Sequence, residues 1–266
     1  MNPVVPEQPL NQRIKAAQAI ILEAGQIALE YFENRQQLQI ETKSDLQDVV
    51  SAADREVEAY IREGICIEFP EDGFLGEESG LEPGVNDWLW VTDPIDGTSC
   101  FLAGIPTWCL SIALLYQGLP VAGLVLDPNA DELFSACHGR GAFVNDQPIF
   151  CHKATALEQG LMGAGTSHSQ APGVCTDFLQ KLLNKGGMFI RNGSGALMIC
   201  YVAAGRLIGY YEPHINSWDC LAGLVLVREA GGWTNNFLQG EGLLKGNPIL
   251  AAAPGVEQAV RELVDL

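Results

Sequence analysis

Apolar side chains return at helical spacing over residues 11–35. Ile14, Ala17, Ile21, Ala28 and Phe32 share one stripe there and predict an amphipathic helix. Residues 36–50 lose that rhythm and read as extended chain and turns. A second helix is predicted over 51–67, with Ser51 suited to its N-cap, Asp54 three positions on, and a core stripe through Val57, Ile61 and Ile65. Phe69-Pro-Glu-Asp-Gly is a turn, and residues 88–92 form a short apolar strand that runs into Asp93-Pro-Ile-Asp-Gly. Strands at 111–115 and 121–126 flank a turn at Gln117-Gly-Leu-Pro, and another pair, 133–136 and 142–144, flanks Gly139-Arg-Gly.

After residue 150 the pattern becomes an alternation. Strands are predicted at 161–165, 207–211 and 249–252. Helices are predicted at 174–183, 195–204, 218–230 and 256–264, the third closed by Gly231-Gly232. The expectation is an α+β half over 1–150 and an α/β half over 151–266, packed as one compact unit with a cleft between them.

Composition narrows the chemistry. With 47% hydrophobic residues in 266, the chain has ample material for a shared core. Its net charge of −18 repels nucleic-acid backbones and anionic membrane surfaces, so neither is an expected partner. It would repel an anionic substrate too, unless bound cations reverse the sign locally. The eight cysteines include no C-x-x-C, and Cys109, Cys200 and Cys220 sit in apolar stretches. They read as buried free thiols of a reducing cytoplasm. His138, His152, His168 and His214 are too scattered for zinc spacing. The first residues lack a basic-then-apolar leader pattern, and the longest near-apolar run, 195–205, is too short to span a bilayer.

The carboxylates supply the candidate chemistry. Asp93 and Asp96 follow a strand on a tight turn, where two acids and the Ile95 carbonyl can share a hard cation. Gly97 permits close approach of a ligand, and Thr98 and Ser99 can open a short helix with free N–H groups for phosphate. The same six residues also suit a plain surface turn. Glu77-Glu78, after Gly76, fits a solvated acidic loop or the neighbourhood of a cation. Asp54 lies on the core stripe of its helix, where it either caps the helix or faces a metal. Asp219 opens a helix whose face continues through Ala222, Gly223, Leu226 and Ala230, where the small residues allow close packing. It either complements the helix dipole or ligates.

Taken together, Asp93-Pro-Ile-Asp-Gly-Thr, Gly76-Glu-Glu-Ser, Lys43-Ser-x-x-x-Asp48-x-x-Ser51-x-x-Asp54 and Trp218-Asp-Cys-Leu-Ala-Gly…Glu229-Ala-Gly-Gly resemble the inositol monophosphatase family, from about residue 11 to the C-terminus. The resemblance implies a layered α-β-α-β-α sandwich of the sugar-phosphatase type, two to three magnesium ions, lithium sensitivity and a homodimer. It implies metal ligation by Glu77, Asp93, the Ile95 carbonyl, Asp96 and Asp219, and an attacking water positioned by Thr98, Asp54 and Glu77. It implies substrate contacts at Asp96, Gly97, Thr98, Thr166, Gly193, Ser194, Gly195, Glu212 and Asp219. The implied reaction is hydrolysis of a small phosphate monoester, with inositol 1-phosphate favoured over histidinol phosphate, sugar bisphosphates or adenosine bisphosphates. A regulatory role beside the transcription machinery, on the same fold, is the alternative from another class.

The chain departs from the family pattern at Cys100, where asparagine is usual, at Ala103, often basic or histidine, and at Met198, often aspartate. Arg191 also stands one residue nearer the Gly-Ser pair than usual. If the reading holds, Asp54, Glu77, Asp93, Asp96 and Asp219 gather within a few ångströms.

Overall fold

The structure is a computed structural model that describes residues 4–37, 40–42, 49–167 and 170–264. Lys43, Ser44, Asp48 and His168 lie outside the described residues. The chain opens with helix α1 (Glu7–Glu33), the short strands β1 (Ile40–Thr42) and β2 (Val49–Ser51), and helix α2 (Ala52–Glu68). Strands β3 (Gly73–Gly76), β4 (Gly80–Glu82) and β5 (Trp88–Asp96) follow, then the short helix α3 (Thr98–Ala103). A meander comes next: β6 (Cys109–Tyr116), β7 (Leu119–Asp127), β8 (Glu132–Cys137), β9 (Ala142–Val144) and β10 (Gln147–Ile149). The remainder comprises β11 (Leu161–Ala164), α4 (Pro172–Asn184), β12 (Met188–Ile190), α5 (Gly195–Ala203), β13 (Gly209–Ile215), α6 (Ser217–Glu229), β14 (Trp233–Thr234), α7 (Gly242–Lys245), β15 (Asn247–Ala252) and α8 (Glu257–Arg261). Among the described residues no helix is long and apolar enough to cross a membrane.

Two sheets carry the architecture. One runs β10-β9-β8-β7-β6-β5-β3-β4 and the other β12-β11-β13-β15-β14. Strand alternation gives the large sheet two apolar faces. Leu110, Ile112 and Leu114 of β6 join Trp88, Trp90, Leu124 and Leu126 in a core under α1 and α2. Cys109, Ala113 and Leu115, with Val91 and Val125, enter a second core that holds α5, α6 and the small sheet. On the small sheet, Tyr210 lies beside Gly195 of α5, while Tyr211 turns outward to Phe178 of α4, with ring centroids 4.7 Å apart. The layers therefore run helix, sheet, helix, sheet, helix, as expected.

The structure corrects several element boundaries. The strand expected at 207–211 is β13, which starts at Gly209 and continues to Ile215. The C-terminal helix is confined to Glu257–Arg261. β3, β4, β12 and β14 escape periodicity because each has four residues or fewer.

α6 lies between the sheets and packs across β5 to β8. It comes this close because residue 123 of β7 is glycine. A Cβ there would lie 2.7 Å from the Ala222 Cα, against backbone that cannot yield. On the other side, Gly223 fits against Ile199 of α5. Gly123→Ala is therefore expected to cost about 1–3 kcal/mol by overpacking. The measurement is the urea denaturation midpoint, and an unchanged midpoint would refute this packing account.

Candidate metal centre

Strand geometry alone would separate Asp93 from Asp96, since residues three apart in a regular strand point to opposite faces. Asp93 pairs with Ser111 and Asp96 with Cys109, so β5 advances three residues where β6 advances two. This bulge turns Ile95 into the core under α1 and α2 and returns Asp96 to the face of Asp93. Pro94, which has no N–H to donate, sits within the bulge, where a strand tolerates it.

Asp219, in the first turn of α6, completes the group. One carboxylate oxygen from each of Asp93, Asp96 and Asp219 lies within 4.8 Å of the others. The Ser111 hydroxyl donates to the Trp218 carbonyl at 3.0 Å and ties that first turn to the strand carrying Asp93's partner. Each acid commits an oxygen to the frame. Asp93 Oδ1 accepts the Ile95 N–H at 3.0 Å, and Asp219 Oδ2 accepts the Asn216 N–H at 3.0 Å. Asp96 Oδ2 accepts the Ser194 hydroxyl and, at 2.7 Å, the Ala196 N–H, both at the N-terminus of α5. A helix N-terminus suits an anion there.

Burial, and then the charges of Glu77, Asp219 and Asp96, push the Asp93 carboxyl well above the usual carboxylate range. Burial also raises Asp219 well above that range, followed by the charges of Asp96 and Glu77. Burial raises Asp96 less, against the opposing hydrogen bonds from Ser194 and the backbone of Ala196 and Gly195. The Asp93 and Asp219 charges act on one another, and a cation held between them would relieve that repulsion. The donors are all oxygen. The nearby Cys109 thiol, 3.9 Å from Asp96 Oδ2, is pushed well up by burial and remains protonated. Such a donor set fits a hard divalent ion such as magnesium, whose oxygen ligands stand at about 2.0–2.1 Å.

A second group adjoins the triad. The Thr98 hydroxyl is within reach of two acceptors for its one proton, Asp54 Oδ1 at 3.2 Å and the Ile95 carbonyl at 3.1 Å. Asp54 is only 1% exposed. Gly97 has φ +97°, a conformation that suits glycine. Glu77 follows β3, its N–H on the Thr92 carbonyl at 3.2 Å, and its charge acts on Asp93 and Asp219 although it stands outside the tight triad. The loop that carries it is held by a residue that sequence reasoning passed over. Glu58, buried on α2, accepts the N–H groups of Glu78 and Ser79, each at 2.8 Å. The available signal was its position four residues after Asp54, next to Val57 on the core side of the helix.

The remaining predicted residues lie on the second half. Ser194 is buried and Gly195 opens α5. Gly193 abuts the Cys100 sulfur, which donates to the Asn192 carbonyl at 3.4 Å. Thr166 is exposed just beyond β11. Glu212, on β13, is pushed up to about 8, mainly by burial and also by the Asp96 charge, against the Tyr210 hydrogen bond and the Arg191 charge.

With this geometry in view, comparison with known proteins is decisive. The sequence model of the inositol monophosphatase family matches residues 10–264. The chain belongs to that family. Its relatives include an inositol-1-monophosphatase of Rhizobium meliloti (strain 1021), 37% identical over 247 residues that make up 92% of each chain. They also include a Nus factor SuhB of Pasteurella multocida (strain Pm70), 36% identical over 98% of this chain and 95% of that one. The crystal structure of the extragenic suppressor protein suhB from Bartonella henselae superposes with a TM-score of 0.88 at 33% identity, covering 97% of this chain and 99% of the other.

In this inositol monophosphatase family member, Ser194 steadies Asp96 from the opposite half of the molecule. A divalent cation is expected to bind the triad about 10–100-fold more weakly in Ser194→Ala, the usual effect of losing a hydrogen bond that supports a metal-binding carboxylate. Isothermal titration checks this, and wild-type affinity in the variant would refute it.

Proposed function

We propose that the protein is a magnesium-dependent phosphatase acting on a small polyol phosphate monoester, with inositol 1-phosphate as the favoured substrate. The observation that carries this reading is the convergence of Asp93, Asp96 and Asp219 on one face, the first two buried and the third half-buried. The relative named inositol-1-monophosphatase supports the choice of substrate. Histidinol phosphate and sugar or adenosine bisphosphates are the alternatives within the same chemistry.

In this reading Glu77, Asp93 and the Ile95 carbonyl hold one ion, Asp93, Asp96 and Asp219 hold another, and Glu77 contacts a weaker third. Magnesium bound there would lower the pKa of the attacking water and neutralise charge on the phosphoryl oxygens. The chain's own residues supply the rest. The Thr98 hydroxyl lies 3.2 Å from Asp54 Oδ1, so it can pass its proton to that carboxylate as its oxygen takes one from the attacking water. Glu77 orients the same water. The backbone of Gly97 and Thr98 receives the phosphate, while Thr166, Gly193, Gly195 and Glu212 line the side where the leaving alcohol lies. With bound cations, an anionic ester can enter despite the net charge of −18.

Purified protein with magnesium is expected to release phosphate from inositol 1-phosphate, and Asp93→Asn is expected to abolish that release. No turnover on any polyol or sugar phosphate would end this reading, and kcat/KM across a panel of esters ranks the substrates. Lithium inhibition is expected in the same assay. Relatives named Nus factor SuhB favour a second reading, a regulatory partner of the transcription machinery. An Asp93→Asn chain that fully rescues a deletion strain would support it.

We also propose a homodimer that uses the edge strand β12. Met188, Phe189 and Ile190 are 60%, 40% and 41% exposed on that edge. Light scattering is expected to give twice the chain mass, and Phe189→Lys to lower it. A monomeric wild type would refute this.

A further inference from the structure

Glu212 stands two residues after Tyr210 on β13, so both face α5. Glu212 Oε2 accepts the Tyr210 hydroxyl, and Tyr210 is almost wholly buried. The pair is seated against two glycines. A Cβ at Gly165 would collide with the Glu212 carboxylate and lie 2.5 Å from the Tyr210 hydroxyl oxygen. A Cβ at Gly195 would lie 3.4 Å from that hydroxyl and 3.7 Å from Glu212 Oε2. The Gly195 N–H also bonds to Asp96. The first residue of α5 thus stands between an acid of the triad and Glu212, and fixes their relation.

Tyr210 has no part in the hydrolytic scheme. Its hydroxyl is spent on one carboxylate oxygen, which leaves Oε1 for a ligand. As a carboxylate, the form it takes above about pH 8, Glu212 is an acceptor only and selects ligands that present hydroxyl or other N–H and O–H donors. Without its anchor the side chain is free to turn toward the Arg191 cation, whose charge already acts on it.

We propose that Tyr210 is a positioning residue for substrate specificity: it clamps Glu212 in the Gly165–Gly195 seat so that Oε1 accepts a hydroxyl of the leaving alcohol. This rests on the polyol-phosphatase reading above. It assigns discrimination between hydroxyl-bearing and bare phosphate esters to a part-buried pair that does not touch the reacting phosphorus.

The test compares wild type, Tyr210→Phe and Gly165→Ala with magnesium on inositol 1-phosphate and on phenyl phosphate, which has no alcohol hydroxyls. In both variants the ratio of kcat/KM for inositol 1-phosphate to that for phenyl phosphate is expected to fall about tenfold, mainly through KM for the polyol ester. A purely structural role would lower both substrates together and leave the ratio in place, which overturns the proposal. If Gly165→Ala does not fold, Tyr210→Phe alone decides, since it removes one oxygen and keeps the ring. A wild type that is inactive on both esters sinks the phosphatase reading and the proposal with it. An active wild type with an unchanged ratio in Tyr210→Phe sinks the proposal alone.

Discussion

Asp93, Asp96 and Asp219 are carboxylates held side by side, two buried and one half-buried, and their mutual repulsion sets the terms for the residues around them. Burying one charge is costly, and burying several of one sign costs far more unless protons or cations intervene. The fold meets part of that cost with directed N–H groups: the bulge for Asp93, the end of α5 for Asp96 and the turn before α6 for Asp219. These devices make the acids tolerable without neutralising them, which is the condition a cation site needs.

The same arrangement explains why the two sheets cannot be independent. Asp93 and Asp96 belong to the large sheet, Asp219 to the helix between the layers, and the groups that steady Asp96 to α5. Gly123 lets α6 approach the sheet, and Gly223 lets α5 approach α6. A shift of either helix by an ångström would pull one acid out of the set. Small residues far from the acids thus act on the site through backbone distance, the kind of positioning on which rates and affinities depend.

Much of this was legible from the chain, for definable reasons. The long helices and the β6–β7 hairpin announced themselves by period, and the small-residue face of α6 foretold its close packing. The acids were picked out by their setting. What could not be read was how Asp93 and Asp96 come to share a face. A spacing of three places them on opposite sides of a strand or on one side of a turn, and only the pairing with Ser111 and Cys109 reveals the bulge. Glu58 was missed because its role is defined by a loop about twenty residues away, whose N–H groups it satisfies. Ser194 was read as a pocket-lining residue, yet its hydroxyl is directed at Asp96, a contact 98 positions away in the chain. Long-range hydrogen bonds leave no local pattern.

Three of the departures from the family pattern, at Cys100, Met198 and Arg191, acquire a common sense once they are placed. Cys100 packs into the turn at Asn192-Gly193, where the Thr107 hydroxyl also donates to the Asn192 carbonyl at 2.7 Å. Met198 is buried on α5 and fills the space over Gly163 of β11. Arg191 precedes that turn, and its charge reaches Glu212. None of these residues is in the triad. Cys100 and Met198 act on α5 and the turn before it, and Arg191 on the carboxylate beside them. Substitutions there can move Glu212 and the Gly193–Gly195 segment by fractions of an ångström while Asp93, Asp96 and Asp219 keep their frame. Under the proposed function, a fold built this way would hold its metal chemistry constant and vary the alcohol it accepts, because the two tasks would rest on different sides of one short helix terminus.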